Sequence, residues 1–185
     1  KGGFYPGDQW ASMVNPGIPV SPKSQELTGI STEMIQDAPA PAVVLQQAAD
    51  FIGSRPVVAH NAFFDLNFLR YEGFRMAAEA EPRIKFNPPL IDTLALSRLL
   101  LPDLANHKLS TVTEHLQVIM ENHHRAEADA LACGMVFNEL WRRSGAAGLE
   151  DLNRLAGKLP QETVLDHKKE VYHIILLAAD RLGLY

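Results

Sequence analysis

Apolar residues return every three or four positions over long stretches of the chain, and that period predicts helices. In PAVVLQQAADFIG, Val44, Ala48, Phe51 and Ile52 fall on one side, and Gly53 supplies the stop. NAFFDLNFLRYEGF predicts a second helix, started by Asn61. KLSTVTEHLQV predicts a short one with Ser110 as its cap, and HRAEADALACGMVFNELWRR the longest, ending at Gly145. A further short helix lies within ELTGISTEMIQDAP, capped by Ser31 or Thr32 and stopped before Pro39. Apolar runs without this period read as strands. PVVAH suits a buried parallel strand, and LIDTLALSRLLLP a strand running into a helix that ends at Pro102. Residues 9–14, between the turn signals Pro6-Gly7 and Asn15-Pro16-Gly17, predict a strand at a sheet edge. RMAAEAEPRIKFNPP reads as a loop. Strands alternating with helices predict an α/β layered domain.

The texture changes after Gly145. GAAG reads as a linker, and Leu149, Leu152, Leu155, Ala156 and Leu159 mark an amphipathic helix. Val164, Val171, Ile175, Ala178 and Leu182 predict a second, longer one. The expected organisation is a main domain over residues 1–145 and a helical C-terminal extension over residues 146–185. The extension is expected to pack on the main domain; the sharper reading makes it a docking segment or the start of another domain.

Composition narrows the function. The 185 residues carry a formal net charge of -5, so the chain lacks the basic balance of a protein that holds long nucleic acid by counterion release. A nucleic-acid enzyme of this charge is expected to grip a short end or to rely on a partner. One cysteine, Cys133, excludes an intramolecular disulfide and fits a reducing compartment, so a cytoplasmic location is expected. The apolar run over residues 174–179 is too short to span a bilayer, and no membrane association is expected.

Two acids fall where core or strand-end positions are expected. Asp129 shares a helical stripe with Cys133, Val136 and Leu140, and His124 lies five residues before it. Asp65 comes one turn into the helix that follows PVVAH. A buried carboxylate needs compensation, and a cation is one candidate. Taken singly, each residue has a plainer reading. Asp65 alone would complement the helix dipole, and His123 or His124 alone would be a surface histidine. Asp92 reads as structural, hydrogen-bonded near a strand end, and Glu127 as solvated. The combination of strand–Asn–x3–Asp with a later His–x4–Asp points to chemistry.

AHNAFFDLNFL and HHRAEADA resemble the second and third motifs of the DnaQ-like 3′–5′ exonucleases. These form the histidine branch of the DEDD superfamily, whose best-known member is the proofreading epsilon subunit of bacterial DNA polymerase III. VNPGIPV, ELTGISTEMIQDAP and LIDTLALSRLLLP follow the family order, and the likeness spans residues 10–141. It implies an RNase H-like α/β fold, a mixed sheet flanked by helices. It implies that Asp65 and Asp129 are two of four acids holding two Mg²⁺ or Mn²⁺ ions, and that His124 is the general base. His60 and Asn61 would shape the site or contact the nucleotide. Thr28, Gly29 and Ile30 resemble a family turn near the terminal nucleotide. The implied substrate is a 3′ end of single-stranded nucleic acid, DNA before RNA, with a DNA polymerase or helicase as partner or fused domain. The chemistry is consistent: hard dications want oxygen ligands, and they mask negative charge where a polyanion must bind.

The family's opening Asp-x-Glu is absent before WASMVNPG, and Asp8 lies in a turn. With Lys1 as the first residue, the chain reads as a segment of a longer protein, its N-terminal strand missing. These residues alone are expected to bind metal weakly and hydrolyse little. The alternative is an inactive exonuclease-fold module that binds nucleic acid or a polymerase. A third reading is an interaction protein built on the C-terminal helices, in which removing residues 149–185 would spare any nuclease activity.

Overall fold

The computed structural model describes residues 9–77, 86–119, 126–156 and 177–178. Local capping sets the first elements. Ser21 accepts the Ser24 amide, Pro22 opens the first turn, and Gly29 at φ 70 closes α1 (Pro22–Thr28). A single turn, α2 (Thr32–Ile35), follows, entered at Ser31 without a side-chain cap. Where one helix was expected, the chain therefore makes two. α3 (Pro41–Ile52) turns Val44, Leu45, Ala48 and Ile52 inward. Phe51 stays half-buried, its ring 6.1 Å from that of Trp10, with the Arg55 guanidinium 5.1 Å from its centroid.

Residues 9–14 do not form the expected strand. Among the described residues they have no sheet partner, and a strand without one leaves its backbone groups unpaired. The stacking of Trp10 on Phe51 and the Asn15 amide on the Pro39 carbonyl (3.0 Å) fix the segment instead.

β1 (Val57–Ala59) is wholly buried, as its apolar run predicts. It pairs in parallel with β2 (Leu90–Asp92), Ala59 opposite Asp92. A parallel pair needs a crossover, and α4 (Ala62–Ala77) lies on that path. β1 also pairs antiparallel with β3 (Leu177–Ala178), giving the order β2-β1-β3. This corrects the expectation that Ala178 lies on a long helix. Strand pairing satisfies the open edge of β1, a non-local gain that no helical period reports. Leu159, Val164, Val171, Ile175 and Leu182 lie outside the described residues.

α5 (Thr93–Leu100) follows β2 directly. α6 (Leu109–His115) starts two residues earlier than expected: Lys108 holds the cap position, and Ser110 lies inside, its carbonyl accepting the Thr113 hydroxyl (2.8 Å). α7 (Ala126–Ser144) is followed by Gly145 at φ 66, and α8 (Leu149–Ala156) comes next.

Alternation along β1 divides the interior in two. Val57 joins Leu45, Ala48, Ile52, Leu66, Leu69 and Phe86 under α3 and α4. Val58 joins Ile91, Leu96, Val112, Cys133, Val136, Leu140 and Leu152 under α5 to α8. The result is a small mixed sheet between helical layers, with helix predominant. Because Leu152 is fully buried in the second cluster, α8 shares that core, and removing residues 149–185 would open it. Among the described residues, no helix is long and apolar enough to cross a membrane.

Candidate active site at the strand ends

The parallel pairing brings the ends of β1 and β2 side by side, and a helix starts from each. His60 and Asn61 make the first turn; Asp92 and Thr93 make the second. Two bonds join them directly, and three more brace them. Asp92 Oδ1 accepts the Asn61 amide and the Leu94 amide, each at 2.9 Å, so Asp92 is the hydrogen-bonded strand-end acid that the sequence suggests. The His60 ring pairs with Thr93 Oγ1 through Nδ1 (3.0 Å) and with the His107 carbonyl through Nε2 (2.8 Å). The Thr93 hydroxyl also lies 3.2 Å from the Ala59 carbonyl.

Nε2 must carry the proton to bond a carbonyl, which leaves Nδ1 as an acceptor in the neutral ring. Burial holds His60 below the usual histidine range, against the opposing pull of the His107 carbonyl and the Asp92 charge. His60 is therefore a neutral, doubly bonded ring at neutral pH, and both its polar atoms are committed within the protein. Asn61 adopts φ 68, and its carbonyl accepts the Phe64 amide (2.9 Å) to begin α4. The helix thus starts after a left-handed Asn61.

Asp65 lies in the first turn of α4 and is buried, 3% exposed. Asp129 lies in the first turn of α7 and is half-buried. Cys133 lies one turn beyond Asp129 and is fully buried. Its thiol is pushed up to about 12, by burial first, with the Thr93 hydroxyl (3.5 Å) opposing. Asp92, Asp65 and Asp129 add to the rise, each carboxylate opposing a thiolate. Acids from three separate elements therefore bear on one buried atom.

His123 and His124 lie outside the described residues. Thr28, Gly29 and Ile30 form the end of α1: the Thr28 hydroxyl donates to the Ser24 carbonyl (2.8 Å) and accepts the Ile30 amide (3.1 Å). Gly29 lines an open depression of about 500 Å³ with Val20, Pro22, Gln25 and Glu26. Glu127 is exposed, as a solvated acid should be. Among the described residues, no three His, Cys, Asp or Glu side chains are grouped to hold a metal ion. Thr93 and His107 were not singled out from sequence. Thr93 follows the strand-end acid directly, a usable signal, whereas His107 acts through its carbonyl, which side-chain identity does not report.

The exonuclease family model (RNase_T) matches residues 1–137. The PolC-type DNA polymerase III of Caldanaerobacter subterraneus subsp. tengcongensis is 34% identical over 177 residues, covering 96% of this chain and 12% of that protein. The PolC-type enzyme of Bacillus subtilis is 33% identical over 177 residues, with the same coverage of 96% and 12%. The chain thus spans 12% of the length of these relatives. A solved structure described as exonuclease X in complex with 5′ overhanging duplex DNA has a similar fold, with TM-score 0.54 and 22% identity over 78% of each chain.

Proposed function

The chain belongs to the exonuclease family, and from that premise we propose that it is the nuclease domain of a metal-dependent 3′–5′ exonuclease acting on single-stranded DNA, of the proofreading or repair type. The observation that carries this reading is the placement of two acids with little exposure, Asp65 buried and Asp129 half-buried, in the first turns of two different helices, α4 starting directly beyond the end of β1. Crevices beyond strand ends are where ligands gather in open α/β sheets.

The donor chemistry fits Mg²⁺ or Mn²⁺. Such ions take oxygen ligands, and Mg²⁺ is commonly held by one or two carboxylates, with water and substrate phosphate completing its shell. Asp65 and Asp129 would hold the ions. Bound there, two ions would neutralise phosphate charge, activate the attacking water and stabilise the leaving oxygen. Two acids are a partial set, so residues 1–185 alone would hold ions weakly and hydrolyse little.

His124 is the general base in this reading, accepting the water's proton, a contribution of roughly 10²–10⁴-fold. Neutral His60 shapes the turn, and Asn61 with Thr28, Gly29 and Ile30 contacts the terminal nucleotide. With a net charge of -5, the domain grips a short 3′ end and leaves the rest of the strand to polymerase segments like those of its PolC-type relatives. The setting is cytoplasmic DNA replication.

The test uses protein expressed from its full reading frame, Mg²⁺ or Mn²⁺, and a single-stranded oligonucleotide labelled at its 5′ end. Stepwise shortening from the 3′ end is expected. Asp65→Asn or Asp129→Asn should slow it by roughly 10²–10³-fold, the scale of a lost electrostatic contribution. No shortening, or shortening that both variants retain, contradicts the proposal.

A further inference from the structure

We infer that Asp92 is a positioning residue for Asp65: its carboxylate holds the turn from which the first coil of α4 sets out. The inference rests on the nuclease reading of the site and deepens it. The chain leaves β1 at Ala59 and is helical by Ala62, so His60 and Asn61 alone make the turn. Asn61 does so at φ 68, a left-handed conformation that asparagine enters more readily than most residues other than glycine. Its carbonyl then accepts the Phe64 amide, the residue just before Asp65. Whatever fixes the Asn61 peptide therefore fixes the direction of the first turn of α4.

That fixing comes from across the sheet. The Asn61 amide donates to Asp92 Oδ1 at 2.9 Å, over a separation of 31 residues. The strand register, Ala59 opposite Asp92, delivers the carboxylate to the turn. A hydrogen bond to a charged acceptor is of the same order as the cost of one left-handed residue, so this tether can hold the turn. The His60–Thr93 contact braces the same two dipeptides, and the Thr93 hydroxyl also reaches the Ala59 carbonyl at the end of β1.

The plainer account is that Asp92 only caps α5 through the Leu94 amide. Serine separates the two, since it caps helices about as well as aspartate but its shorter side chain falls short of the Asn61 amide. In Asp92→Ser, the Leu94 amide should stay protected from hydrogen exchange while the Asn61 amide exchanges at least ~10-fold faster. In the full-reading-frame protein, kcat should fall roughly 10–100-fold with KM changed less than about twofold, the signature of a misplaced group. Asp92→Asn keeps an acceptor oxygen in place and should retain Asn61 protection and most of kcat. If Asp92→Ser does not fold, Asp92→Thr, better suited to a strand end, carries the same comparison.

An Asn61 amide that stays protected in Asp92→Ser, with kcat unchanged, overturns the inference. So does Asp92→Asn losing kcat with Asn61 still protected, because charge rather than the tether would then matter. Exchange at Asn61 needs no hydrolysis. Wild-type protein with a protected Asn61 amide and no activity would overturn the nuclease reading; active protein with an unprotected amide would overturn the tether.

Discussion

Cys133 and His60 show what burial beside the strand ends does to single groups. The Cys133 thiol, pushed up to about 12 from an ordinary 9.0, stays protonated in the folded chain. It should resist iodoacetamide at pH 8 until denaturant is added; fast labelling of native protein would refute its burial. The same shift links stability to pH. Its folded value lies above the unfolded one, so the contribution is intact below pH 9.0 and is lost as pH rises toward 12. Unfolding free energies from urea denaturation should fall over that window by up to about 1.4 kcal/mol per pH unit, and Cys133→Ala should flatten the slope. His60 works in the opposite direction. Its folded value lies below 6.5, chiefly through burial, so its contribution is present above 6.5 and is lost as pH falls through the folded value. A proton-NMR titration should place the midpoint of the ring below 6.5, the direction that burial sets; a midpoint at or above 6.5 would remove that linkage.

The elements divide by whether their cause is local. PVVAH and LIDTL became β1 and β2, and the longest period became α7 with Gly145 at its end, because apolar pattern and burial agree there. α1 was not legible by period, since none of its residues is buried and only Ser21 and Pro22 announce it. β3, and residues 9–14 without a sheet partner among the described residues, depend on tertiary pairing, which no window of sequence contains. α8 lies between these cases. Its leucines predict a stripe, but only the structure shows Leu152 packed with Val58, Leu96 and Leu140. Leu152→Ala should cost about 2–5 kcal/mol in urea unfolding. A loss below ~1 kcal/mol would mean that α8 does not share the core.

At the scale of the molecule, the two acids were legible and their shared setting was not. Asp129 was marked by an apolar stripe and Asp65 by its place after a buried strand. How close they come depends on the packing of α4 and α7 on the folded sheet, which no window of sequence contains. The Asp92–Asn61 bond was hidden for the same reason, its partners 31 residues apart. The central claim is that Asp65 and Asp129 form one cation site, and paramagnetic broadening by Mn²⁺ tests it without requiring catalysis. Titrating Mn²⁺ into the isotope-labelled chain should broaden the amide signals around Asp65 and Asp129 over the same concentration range, and either Asp65→Asn or Asp129→Asn should abolish both effects. Broadening at the two positions over separate ranges, or at one after the other acid is removed, would contradict a shared site.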